Sequence, residues 1–466
     1  MKKVLIITYY WPPSGGSGVQ RWLKFAKYLP QYGWEPVIYT PENPEANAVD
    51  EALLKDVLPG TEVIKTRIWE PYQFYRRLIG KSDKKVIKAN LIGSSDTSFR
   101  HRISLFIRGN LFIPDPRIFW IRPSVKFLKK YLKKHPVDAI ISTGPPHSMH
   151  LIAQQVARAT GIKWIADFRD PWTEIFYFKH LKLSRYAYKK HRRLEQGVMD
   201  NADRIIVVSR QMQEDFKKRT ATPVEIITNG FDPDDFINKR QTPAAGGKTV
   251  ADLPGKQLPA DPLSPEAGTG RRRFRLVHTG IFADNGNPGY LWESLREKAQ
   301  ADPAFRNDLE IRLMGQADDS VLKAIEKAGL TENLVNMGYV PHTVVTRWQQ
   351  AASVLLLPLR KEPESAAILT GKFFEYLASG SPILAFGPVN GDLAGSLQET
   401  GSGTIVDFED KAGTLQEINR LYNIFKETRT EGEHGIIPER KPDPKALKYS
   451  RKNLAGELAS LLDNVK

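Results

Sequence analysis

Short apolar runs alternate with segments of helical periodicity along most of this chain, and this alternation restricts the fold more than any other feature. Strands are predicted in the first half for KKVLIITYY, EPVIYT, EVIKT, VDAIISTGPP, IKWIADFRD, ADRIIVVS and VEIITNGFD. Helical patterns lie between them, most clearly at residues 18–32 and 147–161. Because the runs are almost continuously apolar, they indicate strands buried on both faces. The pattern therefore predicts a parallel, doubly wound sheet covered by helices.

The alternation stops at residues 238–272 and then begins again. That stretch is rich in Pro, Gly and Ala and nearly free of large apolar residues, which predicts a flexible linker or an insertion. After it, strands are predicted for RFRLVHTGIF, LEIRLMG, LVNMGYV, ASVLLLPL and PILAFG, with helices between them. A chain of 466 residues is too long for one ordinary core. We therefore expect an α/β protein with two Rossmann-like domains facing a central cleft, at residues 1–237 and 273–445.

The composition limits the class of protein and the cellular compartment that are expected. Hydrophobic residues make up 41% and charged residues 26% of the chain, as in soluble globular proteins. Cysteine is absent, which excludes disulfides and thiolate metal sites and agrees with a reducing compartment. No apolar run approaches the roughly 20 residues that span a bilayer. VLIITYYW continues into a helical pattern rather than a cleavage site, so a strand is preferred to a signal peptide and a cytoplasmic protein is expected.

The positive charge is concentrated in one stretch. The chain has a formal net charge of +15, and residues 65–135 hold 18 Lys and Arg against 4 Asp and Glu. Within this stretch, FYRRLIG and FRHRISLFIRGNLFIPD interleave Arg with Phe, Leu and Ile, as interfacial amphipathic helices do. The stretch predicts a polyanionic partner, which from charge alone is a lipid surface, a nucleic acid or a charged substrate. A solvated basic surface over ordinary core residues is the alternative.

A glycine-rich loop follows the first predicted strand. Gly15, Gly16, Ser17 and Gly18 lie directly before or at the start of the first helical pattern. Ligands of parallel sheets bind at the carboxyl ends of the strands, where glycines let backbone N–H groups approach a phosphate at a helix N-terminus. The spacing is not GxGxxG, and no acidic residue closes the second strand in the dinucleotide pattern. A plain turn is the alternative, because Gly and Ser are common turn residues.

A second group of polar residues lies in PESAAILTGKFFEYLASGSPILAFG. Lys372 and Glu375 are three residues apart at the start of a predicted helix, so both can face the same side. A carboxylate can accept hydrogen bonds from two ribose hydroxyls, and an ammonium can neutralise a diphosphate. A surface Lys–Glu pair is the alternative interpretation.

The motifs taken together resemble one family. GGSGVQRWLKFAKYL, ADFRDPW, NGFD, HTGIF, KFFEYLASGSPIL and YSRKNLAGELASLL follow one another over nearly the whole chain. This order resembles the retaining GT-B glycosyltransferases of family 4, the glycosyltransferase group 1 type, and especially bacterial members of surface-polysaccharide pathways. The resemblance implies transfer of a sugar from a UDP- or GDP-linked donor in the C-terminal domain to a saccharide or lipid-linked acceptor in the N-terminal domain. It also implies that the last helix, within residues 446–466, packs back on the N-terminal domain.

The resemblance also implies roles for individual residues. Glu375 matches the ribose-binding glutamate of the family, and Gly16 with its neighbours would touch the diphosphate. The expected donor-binding residues are Gly15, Gly16, Ser17, Thr279, Gly280, Gly315, Val340, Leu369, Thr370, Gly371, Lys372 and Glu375. Such enzymes use no metal or organic cofactor, because fixed donors and helix N-termini stabilise the leaving diphosphate. Since their acceptors are often lipid-linked, the basic stretch is expected to contact anionic lipid at the inner face of the cell membrane.

Two strand ends in the first half supply the expected catalytic residues. STGPPHSMH carries His147, in a region where the family has a histidine that meets the donor sugar. His150 is a nearby competitor, and a packing or helix-capping histidine is the alternative. ADFRDPW places Asp167, Arg169 and Asp170 after a buried strand, where charges are costly unless they are paired or used. An internal Arg–Asp pair is one interpretation; we expect Arg169 and an aspartate, Asp170, to shape the acceptor side.

The chain departs from the family at the first glutamate of its motif. In the family, seven residues separate two glutamates, and the position at that spacing before Glu375 is Ala367. The missing side chain would bind hydroxyls of the donor sugar. Glu364, Glu362 or backbone amides at residues 369–371 would take its place.

A second departure concerns the positive charge. The Arg–Lys pair that the family has after HTGIF is missing, since residues 283–290 read ADNGNPGY. Lys372 or Arg360 would supply the charge instead. These departures keep a non-catalytic GT-B remnant open as an alternative function. A nucleic-acid-binding protein is the other alternative from charge, but the chain lacks aromatic–basic stacking motifs of the kind that bind single strands, and no nucleic-acid partner is expected.

Overall fold

The structure, a computed structural model, describes residues 1–45, 49–70, 106–107, 109–175, 178, 181–237, 272–428 and 440–465. Most of the predicted linker, at 238–271, and much of the basic stretch, at 71–105, lie outside these residues. The chain divides into two compact units, one formed by Met1–Asn229 with Arg451–Lys466 and the other by Gly230–Ser450. The division after Asn229 precedes the boundary expected at residue 237.

A parallel sheet lies at the centre of the first unit. Within the described residues its strands are β1 (Lys2–Ile7), β2 (Trp34–Pro41), β3 (Glu62–Thr66), β4 (Ala139–Gly144), β5 (Lys163–Phe168), β6 (Arg204–Val207) and β7 (Val224–Ile226). They are ordered β3-β2-β1-β4-β5-β6-β7, and Ile6 of β1 pairs with Ile38 of β2 and Ile141 of β4. The direction of the order reverses between β1 and β4, which is where ligands bind in such sheets.

Helices cover both faces of this sheet. They are α1 (Ser17–Tyr28), α2 (Ile118–Leu132), α3 (Ser148–Thr160), α4 (Arg185–Asn201) and α5 (Arg210–Lys217). Leu5 and Ile7 of β1 pack into a cluster that contains residues of α2 and α3, whereas Val4 and Ile6 pack into a cluster that contains residues of α1. Successive side chains of a strand point to opposite faces, so the double cover explains why the strands are apolar throughout.

Helix α2 lies within the basic stretch at residues 65–135 and is amphipathic. Trp120 and Leu128 are buried in the core, while Lys129 and Lys130 lie in the last turn of the helix. In this part of the stretch, the interleaving of basic and apolar residues arises from a helix that packs on the sheet with one side.

A second parallel sheet lies at the centre of the second unit. Its strands in the described residues are β8 (Phe274–Thr279), β9 (Leu309–Met314), β10 (Leu334–Gly338), β11 (Val354–Pro358), β12 (Ile383–Phe386) and β13 (Gly403–Val406). They are ordered β10-β9-β8-β11-β12-β13, with the reversal between β8 and β11. The helices are α6 (Asp234–Ile237), α7 (Gly289–Ala301), α8 (Pro303–Asp308), α9 (Asp319–Lys327), α10 (His342–Ala351), α11 (Gly371–Ser379), α12 (Asp392–Thr400) and α13 (Lys411–Glu427). The predicted class, two Rossmann-like α/β domains, is confirmed.

The last helix belongs to the first unit. In α14 (Arg451–Asp463), the side chains of Leu454, Leu458 and Leu462 are buried in the cluster that contains Trp22 of α1, and Leu461 packs partly against it. The hydroxyl of Tyr32 donates a hydrogen bond to the carbonyl of Lys452. The apolar face read from the sequence is therefore the face that packs on the first unit. Among the described helices, none combines the length and the apolar character needed to cross a bilayer.

Candidate functional site

Two glycines bring chain segments close together at the carboxyl edge of the second sheet. Gly280 follows β8 and Gly315 follows β9, with φ angles of +86° and +126°. A Cβ on Gly315 would lie 2.2 Å from the carbonyl oxygen of Gly280, and a Cβ on Gly280 would lie 2.8 Å from Cε of Lys372. Glycine is required at both positions, because a side chain would clash and the backbone angles are unfavourable for other residues. The two predicted donor residues thus form a tight corner at the ends of β8 and β9, beside the reversal point between β8 and β11.

Lys372 reaches this corner from the first turn of α11. Its Nζ donates to the carbonyl of Ile281 at 2.8 Å and lies 3.2 Å from Nε2 of His278. Nδ1 of His278 lies 3.0 Å from the carbonyl of Leu356, to which it donates, so Nε2 is free to accept from the lysine. Burial lowers the pKa of Lys372 to about 8, although Glu375 opposes the shift. Burial and the lysine lower the pKa of His278 well below its ordinary value, so this imidazole is neutral.

Glu375 lies one turn further along α11. One carboxylate oxygen accepts from Nε2 of Gln349 at 3.3 Å, and the other lies 3.7 Å from Nε2 of His342. Burial opposes ionisation of this carboxyl, but the hydrogen bond and charge of His342, with Gln349 and Lys372, outweigh it and lower the pKa of Glu375. Gln349 and His342 therefore hold the carboxylate in place. Because its side chain is 41% exposed, it remains accessible to a ligand.

A hydrogen-bonded cluster beneath Glu375 fixes Gln349. Its amide donates to the Glu375 carboxylate and, at 3.2 Å, to the hydroxyl of Thr279 at the end of β8. The hydroxyl of Tyr376 accepts from the backbone N–H of Thr279 and donates to the carbonyl of Leu356. Thr279, predicted to bind the donor, is buried and supports the site from within the unit.

The N-terminus of α11 opens at the same edge. The hydroxyl of Thr370 accepts from the backbone N–H of Phe373 and caps the helix, and Gly371, its first residue, is exposed. Leu369 and Thr370 are half-buried, as is Val340, which follows β10 and packs on the apolar cluster of this unit. A helix N-terminus carries partial positive charge and binds anions. A cation, a helix N-terminus and a carboxylate thus lie together, a set that can bind a diphosphate and a vicinal diol.

The position of the missing glutamate lies just before this helix. Ala367 ends a 3-10 helix at Pro363–Ala367, directly upstream of the first residues of the α11 cap. Of the carboxylates that the sequence offers in its place, Glu362 accepts from the side-chain amide of Asn285 at 2.9 Å. Asn285 in turn accepts, with its backbone carbonyl, from the N–H of Lys361. Glu362 is therefore tied to the loop after β8.

In the first unit, the strand-end aspartate Asp167 is a structural residue. Its carboxylate accepts from Arg21 at 2.8 and 3.2 Å, from the indole of Trp22 at 2.9 Å and from the hydroxyl of Thr143 at 2.8 Å. The Arg–Asp pair suggested by ADFRDPW is therefore present, but its arginine is Arg21 of α1 rather than the neighbouring Arg169. Local spacing cannot reveal this partner, because the two residues are brought together by the packing of α1 on β5.

Arg169 links two loops at the carboxyl edge of the first sheet. Its guanidinium donates to the carbonyl of Gly18, at 3.4 Å, and to the carbonyl of Pro145. A Cβ on Gly18 would lie 3.2 Å from Nη1 of Arg169 and 2.9 Å from the ring of Tyr10. The glycine loop therefore packs against Arg169. Within this loop, Gly16 precedes α1 with a φ angle of +103°, and no side chain caps the helix there.

The remaining residues of the predicted loop are Gly15 and Ser17. Gly15 is half-buried, and Ser17 is the first residue of α1. The loop presents an uncapped helix N-terminus at the reversal point of the first sheet, as the phosphate-binding prediction requires.

His147 lies at the N-terminus of α3 and is buried. Its imidazole stacks on the indole of Trp172, with ring centroids 4.5 Å apart and planes 1° from parallel. Burial, with His150 and Arg169 nearby, lowers the pKa of His147 well below its ordinary value, so the ring is neutral. It caps no helix with its side chain. The structure thus brings His147 and Arg169 to the same edge of the sheet.

Asp170 and Trp172 lie on the loop that follows β5, and α4 braces this loop. Glu195 accepts from the backbone N–H groups of Trp172 and Thr173, while His191 accepts from the indole of Trp172 at 3.1 Å. Asp170 makes no hydrogen bond to the described residues, and burial raises the pKa of its carboxyl against the effect of Arg169. The sequence analysis did not identify Glu195 and His191, because α4 lies outside the motifs.

In the described ranges, no three His, Asp or Glu side chains are grouped in a way that could hold a metal ion.

In the site around α11, the residues that sequence reasoning missed are Gln349, His342, His278 and Tyr376. HTGIF contains His278 and KFFEYLASG contains Tyr376, so both lay inside motifs that were recognised. Gln349 and His342 come from α10, which no motif marked.

Two family models match this chain. The model described as Glycosyltransferase Family 4 matches residues 91–235, and the model described as Glycosyl transferases group 1 matches residues 273–423. The second range contains all of the site built around α11. Comparison with curated protein sequences found no match.

Several solved structures are similar over the full chain. Sucrose-phosphate synthase from Thermosynechococcus elongatus is 15% identical, with a TM-score of 0.58, over 100% of this chain and 99% of that chain. The α,α-trehalose-phosphate synthase (UDP-forming) from Burkholderia xenovorans is 12% identical, with a TM-score of 0.55, over 100% of both chains. WaaG, a glycosyltransferase involved in lipopolysaccharide biosynthesis, is 13% identical, with a TM-score of 0.50, over 99% and 100%. At these identities the structures show a shared fold.

Proposed function

Because the chain is a glycosyltransferase with the GT-B fold, we propose that its second unit binds a nucleoside-diphosphate sugar as donor. The sugar is transferred, with retention of its anomeric configuration, to a saccharide or lipid-linked acceptor bound by the first unit. One observation carries the proposal: Lys372, Glu375 and the N-terminus of α11 meet at the reversal point of the second sheet. Ligands of open parallel sheets bind at such points.

Each group of this site has a role in binding the donor. Glu375 accepts hydrogen bonds from the ribose hydroxyls, because its carboxylate is ionised, half-exposed and held by Gln349 and His342. The ammonium of Lys372 and the N–H groups of the first turn of α11 balance the charge of the diphosphate, which grows as the sugar leaves. This arrangement performs the charge stabilisation for which other enzymes use a divalent cation. We therefore propose that the enzyme needs no metal and no organic cofactor.

We propose that the first unit binds the acceptor and that His147 contacts the sugar being transferred. His147, Arg169 and Asp170 lie at the carboxyl edge of its sheet, and the carboxyl of Asp170, with its raised pKa, is free to receive a hydroxyl of the acceptor. The lipopolysaccharide role of WaaG supports an acceptor in bacterial surface polysaccharide synthesis in the cytoplasm. The UDP-forming trehalose-phosphate synthase favours UDP over GDP as the donor nucleotide.

Calorimetry with UDP and GDP tests the donor site. Replacing Glu375 with Ala removes charge-assisted hydrogen bonds that are worth roughly 1.5–3 kcal/mol, so the affinity for UDP should fall about 10-fold to 150-fold. Lys372→Met should weaken UDP, which has a diphosphate, more than uridine, which has none. Matched controls are Glu297→Gln and Lys411→Met, which break a surface ion pair between α7 and α13 of the same unit. Unchanged UDP affinity in Glu375→Ala, or equal losses in the control variants, overturns the assignment.

We also propose that the first unit docks on an anionic lipid surface, and exposed aromatic side chains support this. Trp69 and Phe119 are exposed and meet edge to face at 4.8 Å, with Phe106 and Leu111 also exposed nearby in the sequence. Arg67 is 90% exposed, and the basic residues of α2 follow. Apolar rings among cations are typical of surfaces that insert into the headgroup region of a bilayer.

Flotation with vesicles of phosphatidylcholine and phosphatidylglycerol tests this surface. Binding should fall as salt rises, because each basic residue near an anionic surface contributes about 1 kcal/mol that salt screens. The double variant with Trp69→Ser and Phe119→Ser should lose the salt-resistant part, whereas Ile424→Ser, an exposed apolar residue of the second unit, should not. Equal flotation of the double variant and the parent protein, or none by either, contradicts the proposal.

A further inference from the structure

Two buried imidazoles turn a nitrogen toward the same glycine in the first unit. His147 is 6% exposed and His150 is fully buried. Nδ1 of His147 and Nε2 of His150 are sealed from solvent and have no hydrogen-bond partner among the described residues. A Cβ on Gly144, at the end of β4, would lie 2.5 Å from Nε2 of His150 and 2.9 Å from Nδ1 of His147. The two nitrogens therefore lie beside the same point, and only a glycine leaves room for both.

The tautomer of His150 follows from its other nitrogen. Nδ1 of His150 lies 2.8 Å from Oγ of Ser142, and Oγ also accepts from the indole N–H of Trp164 at 2.8 Å. Ser142 is fully buried, and its hydroxyl hydrogen needs an acceptor. The indole can only donate, so this acceptor is Nδ1 of His150. A neutral imidazole has one N–H, and in His150 it is therefore on Nε2, beside His147.

The tautomer of His150 can be assigned in this way because the imidazoles of His147 and His150 are both neutral. Burial lowers the pKa of His150 to about 3, with Asp167 opposing and Arg169 adding to the shift. The pKa of His147 is lowered by burial and by His150, Arg169 and His191. The groups that face the pair are Asp167 of β5, Arg169 just after β5 and His191 of α4, and none of them makes either imidazole cationic near neutral pH.

We propose that Trp164, Ser142 and His150 form a hydrogen-bond chain that holds His147 in the tautomer with its proton on Nε2. In this tautomer the lone pair of Nδ1 and the N–H of His150 lie beside the same point at Gly144, with no hydrogen bond between them, and their electrostatic interaction is attractive. The opposite tautomer would bring two N–H donors together in a buried, low-dielectric place, which is repulsive. Trp172, stacked on the ring, holds its plane.

The consequence is that His147 presents a hydrogen-bond donor to substrate. Nε2 is the ring nitrogen that keeps access to solvent, since only Nδ1 is sealed without a partner. Ser142 and His150 are then positioning residues that act through His147. The identity of the recipient, an oxygen of the sugar being transferred, rests on the proposed function; the tautomer itself does not.

Nitrogen NMR of the full chain, labelled only at its histidines with ¹⁵N, tests the tautomer without any substrate. The chain has nine histidines, and His147→Asn identifies the signals of interest by their loss. In the parent protein, Nε2 of His147 should have the shift of a protonated nitrogen and Nδ1 that of an unprotonated one. Ser142→Ala frees His150 to place its proton on Nδ1, so the signals of His147 should move toward those of a mixture of tautomers. Ser142→Thr keeps the hydroxyl and should restore the parent signals.

The control variants separate a positioning role from a loss of structure. His150→Phe keeps a ring of similar size, lacks the N–H and should also give a tautomer mixture. If it does not fold, Ser142→Ala, which removes one oxygen atom, gives the same measurement. A parent protein with the proton on Nδ1, or signals of His147 unchanged in folded Ser142→Ala and His150→Phe, overturns the inference. UDP binding by the second unit should be the same in folded Ser142→Ala and Ser142→Thr as in the parent protein, so failure of this inference is distinguishable from failure of the proposed function.

Discussion

Replacing Asp167 with Ala should strongly destabilise the first unit. The carboxylate is 0% exposed and its partner Arg21 is 1% exposed, so neither charge is solvated by water. The substitution leaves the guanidinium buried without a counter-charge and removes the acceptor of the Trp22 indole and of the Thr143 hydroxyl. Arg21 keeps hydrogen bonds to the carbonyls of Ile227 and Thr228, which satisfy some of its N–H groups but not its charge.

The expected loss is large because an uncompensated buried charge is costly. Removing one partner of a buried ion pair typically costs about 3–5 kcal/mol. For a unit of this size, each kcal/mol lowers the melting temperature by roughly 2–4 °C, so the decrease should be about 6–20 °C. The exposed pair between Lys2 and Asp463, with side chains 56% and 49% exposed, is the matched control. Asp463→Ala should cost less than about 1 kcal/mol from the ion pair, since water and salt screen such pairs, and about 1 kcal/mol more because the indole of Trp34 loses its acceptor.

Tryptophan fluorescence during thermal and urea unfolding measures the effect in the right unit. Seven of the nine tryptophans lie in the first unit, so the signal follows mainly its unfolding. The double variant with Arg21→Met and Asp167→Leu should recover part of the stability lost in Asp167→Ala, because it removes both charges together. If Asp167→Ala is no less stable than Asp463→Ala, or if the double variant is less stable than Asp167→Ala, the ion-pair reasoning is wrong.

Three further predictions concern the donor site. The affinity for UDP should fall about tenfold per pH unit above pH 8, because burial lowers the pKa of Lys372 to about 8 and the diphosphate binds the ammonium form. Calorimetry from pH 7 to 9.5 measures this change, and the substitution Lys372→Arg should make the affinity nearly independent of pH. Turnover should be unaffected by EDTA, and an activity lost in EDTA and restored by Mn²⁺ or Mg²⁺ would show that a metal is needed. Gly315→Ala should weaken UDP binding and lower the melting temperature, since its Cβ would lie 2.2 Å from the carbonyl oxygen of Gly280. The control is Gly329→Ala, whose Cβ would have no atom of the described residues within 4 Å and which should change only stability.

The fold was predictable from the sequence because most strands are apolar runs and the central ones are buried on both faces, whereas the edge strands β3 and β10 are only partly buried. An apolar run is a local signal, and the runs from KKVLIITYY to PILAFG each contain one strand of the two sheets. The order of the strands was not predicted, because the rule for crossover connections fixes their hand but not which strands become neighbours. Segments without such runs were missed. β13, α12 and α13, within residues 387–445, are half-exposed or mixed in pattern and received no assignment.

The residues of the donor site were predictable only in part. Lys372 and Glu375 share one helix, so their spacing shows that they lie together. Gln349 and His342, which hold Glu375, come from another helix, and His278, which contacts Lys372, comes from a strand. Such contacts depend on how elements pack. The same limit explains Asp167, whose sequence neighbour Arg169 looked like its partner.

The lowered pKa of Lys372 links donor binding to proton uptake. A lysine buried against His278 and the Ile281 carbonyl has lost much of its hydration, so part of the population is neutral just above neutral pH. An incoming diphosphate favours the ammonium form and raises the pKa again, because opposite charges attract strongly where water is excluded. The site then has its full positive charge when the leaving group needs it. A lysine from α11 would in this way supply the positive charge that the family resemblance places on an Arg–Lys pair after HTGIF, which this chain lacks.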